Sequence, residues 1–190
     1  MKLVFATNNP NKLSELQDLV PEGIEILSLK DINCNEELPE TNPTLEGNAL
    51  QKAKYVFDNY GFNCFADDTG LEIEVLGGAP GVYSARYAGK DCKAEDNMQK
   101  VLEKLGHEDN RNAKFRTVIA LIIKGEENLY EGECLGKITK TKSGAEGFGY
   151  DPIFTPEGYG ITFAEMSKQE KGAISHRGKA VKQLVGFLHR

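Results

Sequence analysis

The amino-acid sequence predicts an α/β fold, one mixed α/β unit, and three observations carry that prediction. Short apolar runs of strand length alternate with stretches whose apolar residues recur at helical spacing. The first run ends in a polar turn that opens a helix and leads to a second strand, an arrangement that presents a loop at strand ends. The apolar fraction is 39% of 190 residues, and the 27% charged residues are spread rather than blocked, so the chain can bury a core and is not disordered.

The elements follow in order. Lys2–Ala6 reads as a buried strand running into the turn Thr7–Asn11. Leu13, Leu16, Leu19 and Val20 mark a helix from Asn11 or Lys12 to Val20, closed by Pro21 and Gly23. Ile24–Leu29 alternates as a second strand, and the acidic stretch 30–43, with Pro39 and Pro43, is a loop. Thr44 caps a helix to about Asn59, with Leu45, Ala49, Ala53 and Val56 on one face. Cys64–Ala66 and Leu71–Leu76 are strand pieces on either side of Asp67-Asp68-Thr69-Gly70, and Gly77–Gly81 is a loop. Ala94–Leu105 is an amphipathic helix. Phe115–Lys124 and Leu129–Thr139 form a hairpin turning at Gly125–Asn128. Gly144–Gly149 is loop, Ile153-Phe154 a brief strand, and Ser175–Leu188 a last helix burying Ala180, Val181, Leu184 and Leu188. No repeat or linker interrupts the chain, which reads as one domain over residues 1–190.

Charge narrows the function. A net charge of −6 argues against nucleic acid or an anionic membrane as partner, but not against a small anion escorted by a divalent cation. The balance is uneven: residues 135–190 carry 9 basic and 5 acidic side chains, so the acidic excess lies in the first 134. The longest apolar run, Val118–Ile123, is too short to cross a bilayer, and the N-terminus reaches Asn8 and Asn9 too soon for a signal peptide, so a cytoplasmic protein is expected. Cys34, Cys64, Cys92 and Cys134 form no CxxC pair and read as free thiols of a reducing compartment. His107, His176 and His189 lack metal spacing, so a metal here is held by oxygen, which points to Mg²⁺ or Mn²⁺.

Four segments, with a set of glutamates between them, are suited to chemistry. Thr7-Asn8-Asn9-Pro10-Asn11-Lys12 joins a strand end to a helix N-terminus, where unpaired N–H groups, the side chains of Thr7 and Asn9 and the Lys12 ammonium suit a phosphate; the alternative is an Asn-rich turn. In Asp67-Asp68-Thr69-Gly70, one carboxylate of a strand-like pair faces a given site, where it holds a metal or takes a proton from water; the alternative is an Asx-turn. Glu36, Glu37, Glu40 and Glu46 are candidates for a second metal ligand or a solvated loop. In Gly147-Phe148-Gly149-Tyr150-Asp151, the glycines free Phe148 to stack on a planar ring and Asp151 to accept from ring N–H groups, or the segment plugs a core. Lys171 stands before a Ser175 N-cap that would place His176 and Arg177 in the first turn against the helix dipole, a misfit that a ligand or acid would relieve; the alternative is an unpaired surface His-Arg.

Together, ATNNPNK (6–12), ETNPTLEGNALQKA (40–53), ADDTGLEIEVLGGAPGVYSARYAG (66–89), GFGYDPIF (147–154) and EKGAISHRGKA (170–180) give a chain that resembles the inosine triphosphate pyrophosphatase family, which includes the dITP/XTP pyrophosphatases. The resemblance covers essentially the whole chain. It implies a long mixed central sheet with flanking helices, two lobes around an active-site cleft, and a homodimer. It implies hydrolysis of non-standard purine nucleoside triphosphates between the α- and β-phosphates, with Mg²⁺ (or Mn²⁺ in its place) as cofactor and a free nucleotide as partner. By position, Thr7 to Lys12, including Asn8, Pro10 and Asn11, would bind the triphosphate. Asp68 would be the general base and touch the metal, Glu40 would be the second metal carboxylate, and Thr69 would contact substrate. Phe148 would stack on the purine, with Gly149, Tyr150 and Asp151 shaping its pocket, and Lys171, His176 and Arg177 would read the base. Asn8 departs from the glycine common in the family, and Thr69 from its usual serine. A nucleotide-binding regulator and a septum-type pyrophosphatase acting on dTTP or UTP are the competing readings; the intact Asp68 and Glu40 disfavour the first, and the GFGYDPIF and SHR blocks disfavour the second.

Overall fold

Strand β1 (Lys2–Phe5) is buried along Leu3-Val4-Phe5, as a strand covered on both faces must be. In the computed structural model, which describes Met1 to His189, β1 pairs in parallel with β2 (Glu25–Leu27) and with β3 (Cys64–Ile73). Helix α1 (Pro10–Gln17) links β1 to β2. It begins and ends earlier than the leucine spacing predicts, because Asn9 caps it and Pro10 takes the first helical position, where its missing N–H costs nothing. Leu19 and Val20 lie beyond its end yet still pack on the core. Helix α2 (Leu45–Tyr60) matches the prediction: the Thr44 hydroxyl accepts from the Gly47 amide at 3.0 Å, and Gly61, at φ 73°, ends the helix.

The largest departure from the sequence reading is β3. Asp67-Asp68-Thr69-Gly70 is not a turn between two strand pieces; it lies inside one ten-residue strand. Polar residues mask the strand pattern, but the partners described below satisfy them. Gly70 has a packing reason. A Cβ there would stand 2.7 Å from the carbonyl oxygen of Gly81, where the short strand β4 (Pro80–Gly81) runs antiparallel to β3. The end of the segment expected to be loop therefore joins the sheet.

Helix α3 (Ala94–Leu105) buries Met98, Val101 and Leu105. Strands β5 (Asn112–Ile123) and β6 (Glu126–Ile138) form the predicted hairpin, but its turn is Lys124-Gly125 rather than 125–128. Both turn residues have positive φ, 52° and 84°, as a two-residue turn matching the strand twist requires. Strand β7 (Phe154–Pro156) pairs antiparallel with β6. Helix α4 (Lys168–Ile174), unforeseen in the sequence, starts at a capping box between Ser167 and Glu170, and α5 (His176–Leu188) follows it. Among the described residues the sheet has seven strands in the order β2-β1-β3-β5-β6-β7, with β4 on β3, so it is mixed as expected.

The chain forms two compact units. The first comprises Met1–Asp68, Thr117–Gly132 and the chain from Arg177 onward, and its core gathers Leu3, Phe5, Leu16, Phe65, Ile119, Leu121, Val181 and Leu184. The second comprises Thr69–Arg116 and Glu133–His176, around Leu71, Ile73, Val101, Phe115, Ile153, Phe154 and Phe163. No helix among the described residues is long and apolar enough to cross a membrane. All four cysteines are free thiols.

Candidate active site: an aspartate pair among lysines, and an aromatic–lysine cluster

In the first unit, successive side chains of β3 leave on opposite faces, so Asp67 and Asp68 acquire different neighbours. Asp67, 1% exposed, receives Lys12 Nζ on one oxygen at 3.0 Å and the Nε and an Nη of Arg177 on the other, each at 3.2 Å. Arg177 also donates to Glu15 at 2.5 Å. Lys52, extending from α2, bonds the Asp67 backbone carbonyl at 2.7 Å and pairs with Glu40 at 2.5 Å. Asp68 accepts from the neutral amide of Asn48 at 3.1 Å.

The two carboxyls consequently titrate in opposite directions. Burial alone would raise Asp67, but Lys12, Arg177 and Lys52 outweigh it and hold the group well below the ordinary carboxylate range. For Asp68 burial prevails: it lifts the pKa, Lys52 and Lys12 only partly offset the rise, and Glu40 adds to it by repulsion. Asp67 is thus a fixed anion, and Asp68 is a carboxylate with raised proton affinity. Lys12 moves down, chiefly through burial, although Asp67 opposes the change.

The loop into α1 differs from expectation. Three of its amides are engaged: the Asn9 N–H bonds Thr7 Oγ1 at 3.1 Å, and the amides of Asn11 and Lys12 bond Asn9 Oδ1 at 2.9 and 3.4 Å. Capping has thus taken three of the amides that a helix start offers an anion, and the Lys12 ammonium and the Thr7 hydroxyl are among the groups that suit a phosphate. Pro10 fixes the turn. The Asn8 amide bonds Glu36 O at 3.1 Å and Leu38 N at 2.9 Å.

Of the acidic residues in 36–46, Glu40 is the one that influences Asp68. Glu36 accepts instead from Tyr60 at 2.7 Å and Cys34 at 3.3 Å. No group of three or more His, Cys, Asp or Glu side chains gathers as a metal cage among the described residues. Two carboxylates nevertheless fit Mg²⁺, which binds one or two and leaves its other positions to water and phosphate oxygens.

In the second unit, Gly147 and Gly149, at φ 72° and 61°, set Phe148 on a tight loop. A Cβ on Gly147 would collide with the Asp151 carboxylate, so that glycine is required. Asp151, 3% exposed, accepts from the Phe148 amide at 3.0 Å and from Lys171 Nζ at 2.7 Å. Lys171 stands 5.0 Å from the centre of the half-buried Phe148 ring. The Tyr150 hydroxyl donates to Ser84 O at 2.6 Å, and burial raises its pKa. His176 is buried and stacks on Phe115, with centroids 4.6 Å apart and ring planes 14° apart.

Lys171, His176, Phe148, Gly149, Tyr150 and Asp151 therefore share the second unit, as does Thr69. Arg177, expected beside them, belongs to the first unit, and its guanidinium holds Asp67 and Glu15. Asn48, Lys52 and Glu15 escaped the sequence reading. The signal for the first two was present: both lie four residues apart on α2, buried among the apolar stripe of Leu45, Ala49 and Val56. Polar side chains on such a stripe need partners, and here those partners are the carboxylates.

The Ham1 family profile matches residues 3–187. The chain is 56% identical over 188 residues to the dITP/XTP pyrophosphatase of Flavobacterium johnsoniae, spanning 99% of this chain and 98% of that one. It is 57% identical over 190 residues to the dITP/XTP pyrophosphatase of Christiangramia forsetii, which it covers end to end. The Ham1 structure from Coxiella burnetii superposes with a TM-score of 0.90 at 39% identity, covering all of this chain and 98% of the other. With a full-length profile match, high identity and the same fold, this chain belongs to the Ham1 family.

Proposed function

We propose that this chain hydrolyses the non-standard purine nucleoside triphosphates ITP, dITP and XTP to the monophosphate and pyrophosphate, clearing them from the nucleotide pool before they enter DNA or RNA. The observation that carries the reading is the divergence of two neighbouring aspartates. Asp67 is locked by Lys12 and Arg177, whereas Asp68 keeps an elevated proton affinity beside a neutral amide. The chemistry needs one group to organise cations and another to take a proton.

Asp68 accepts a proton from the water that attacks phosphorus. Lys12 and the Thr7 hydroxyl neutralise and orient the phosphate chain, within the loop formed with Asn8, Asn9, Pro10 and Asn11. Mg²⁺, with Mn²⁺ as a substitute, fits Glu40 and Asp68 and supplies Lewis-acid stabilisation of charge on the phosphate oxygens. Phe148 offers its ring to the purine. Lys171, paired with Asp151, donates toward a 6-oxo group, and Tyr150, Gly149 and His176 shape the surroundings; Thr69 contacts substrate beside Asp68. Adenine lacks the 6-oxo acceptor and leaves such a donor unpaired, the mismatch that discriminates most strongly. Arg177 serves this reading through Asp67, which it orients. The enzyme acts in the cytoplasm as a homodimer, and its free thiols accord with a reducing compartment.

Pyrophosphate release from ITP, XTP, dTTP and ATP in the presence of Mg²⁺ tests the proposal. Release from ITP and XTP is expected, with little from ATP; silence toward both would end it, and preference for dTTP would replace it with a pyrimidine enzyme. Phe148→Ala is expected to raise KM for ITP about tenfold, with a smaller change in kcat, since base–aromatic stacking contributes about 1–3 kcal/mol. An unchanged KM would remove Phe148 from the base site.

A further inference from the structure

The Asn8 side chain is exposed but not idle. Its amide bonds the carbonyl oxygen of Glu36 (3.1 Å) and the N–H of Leu38 (2.9 Å), gripping the main chain on both sides of Glu37 as a neighbouring strand would. Leu38 is buried, Pro39 restricts the next step, and Glu40 follows. Beyond Glu40, the Thr41 amide bonds Gln51 Oε1 at 2.9 Å and the Asn42 amide bonds Asn48 Oδ1 at 2.8 Å. Asn48 also donates to Asp68. The segment carrying Glu40 is thus tied at one end to the loop that opens α1 and at the other to the residue that holds Asp68. A glycine at position 8 would leave the first tie unmade.

We propose that Asn8 is a positioning residue: its side-chain amide clamps residues 36–38 and so sets Glu40 where it and Asp68 take a divalent cation together. The inference rests on the metal reading above. Asn8 serves the phosphate loop through Glu40, not as a phosphate donor of its own.

The test is Mn²⁺ binding, read by electron paramagnetic resonance in the presence of a non-hydrolysable ITP analogue. Asn8→Ala is expected to weaken Mn²⁺ binding about tenfold, the loss of two modest hydrogen bonds. Affinity for the analogue without metal should stay within twofold. In a Glu40→Gln background the Asn8→Ala effect should vanish, since a residue acting through Glu40 has nothing left to position. Asn8→Asp, which keeps an acceptor for Leu38 but opposes the Glu36 carbonyl with an oxygen, should also weaken Mn²⁺ and serves if the alanine variant melts early. Mn²⁺ affinity unchanged in the variants, equal loss in both backgrounds, or loss confined to metal-free nucleotide binding would each overturn the proposal. Absence of pyrophosphate release from ITP would instead overturn the proposed activity, because the Mn²⁺ measurement does not depend on turnover.

Discussion

Asp68→Asn is expected to lower kcat for ITP hydrolysis by about a thousandfold or more, within the range that loss of a general base and a metal carboxylate produces together. The substitution keeps size and hydrogen-bonding capacity, so Asn48 still has a partner in the strand. It removes a negative charge whose ionised form burial already disfavours, so stability should move by no more than about 1 kcal/mol. Nucleotide binding should survive. In the parent enzyme, kcat/KM should decline on the acid side through a pKa above the ordinary 3.8 of an aspartate, because the base must be ionised and its folded-state pKa is raised. Stopped-flow turnover and equilibrium binding of the same variant check both parts; retained turnover would place the base elsewhere.

The second large effect concerns the neighbour. Asp67→Ala should destabilise the fold by about 3–5 kcal/mol, because it leaves Lys12 buried without its paired carboxylate and Arg177 with Glu15 alone. Denaturant unfolding measures it directly; a change below about 1 kcal/mol would show that water or other acids replace the partner. The sign of the pH dependence follows from the direction of the shift. Folding lowers the Asp67 pKa, so the stabilisation is fully present above the unfolded value, 3.8, and is lost as pH falls through the folded value. The parent should therefore lose stability on acidification below about pH 4 more steeply than Asp67→Ala, which no longer has that carboxyl to protonate. Equal acid slopes would exclude Asp67 as the source.

The residues also show which parts of the fold could be read without coordinates. β1 and α2 were legible because each pairs an apolar pattern with a local stop signal, Leu3-Val4-Phe5 before a polar turn and Thr44 and Gly61 around α2, and α3 and α5 by their apolar stripes alone. β3 was not, because Asp67, Asp68 and Thr69 carry turn chemistry, and only distant partners make them tolerable in a buried strand. α4 was hidden for a related reason: its seven residues are mostly charged or small, and it depends on the Ser167–Glu170 box. At the site, the motifs delivered Lys12, Glu40, Asp68, Phe148 and Lys171 as residue types in suggestive company. They did not reveal that Asn9 consumes the loop amides, that Asn8 holds the 36–38 segment, or that Arg177 sides with Asp67. Each of these depends on which side chains meet in space, and periodicity carries no such information.

The bond between Asp67 and Arg177 joins residues 110 positions apart, and the second of them arrives only 13 residues before the end of a 190-residue chain. Until then a growing chain holds Lys12 and Asp67 without the guanidinium, and it lacks Val181 and Leu184, which α5 brings to the same core as Leu3 and Phe5. The order of synthesis therefore dictates the order of maturation. The second unit's residues all emerge before the first unit can close, and buried Asp67 receives its second cationic partner, Arg177, last. A chain stopped before residue 177 would therefore bury Lys12 and Asp67 without that guanidinium and leave the core of the first unit without Val181 and Leu184.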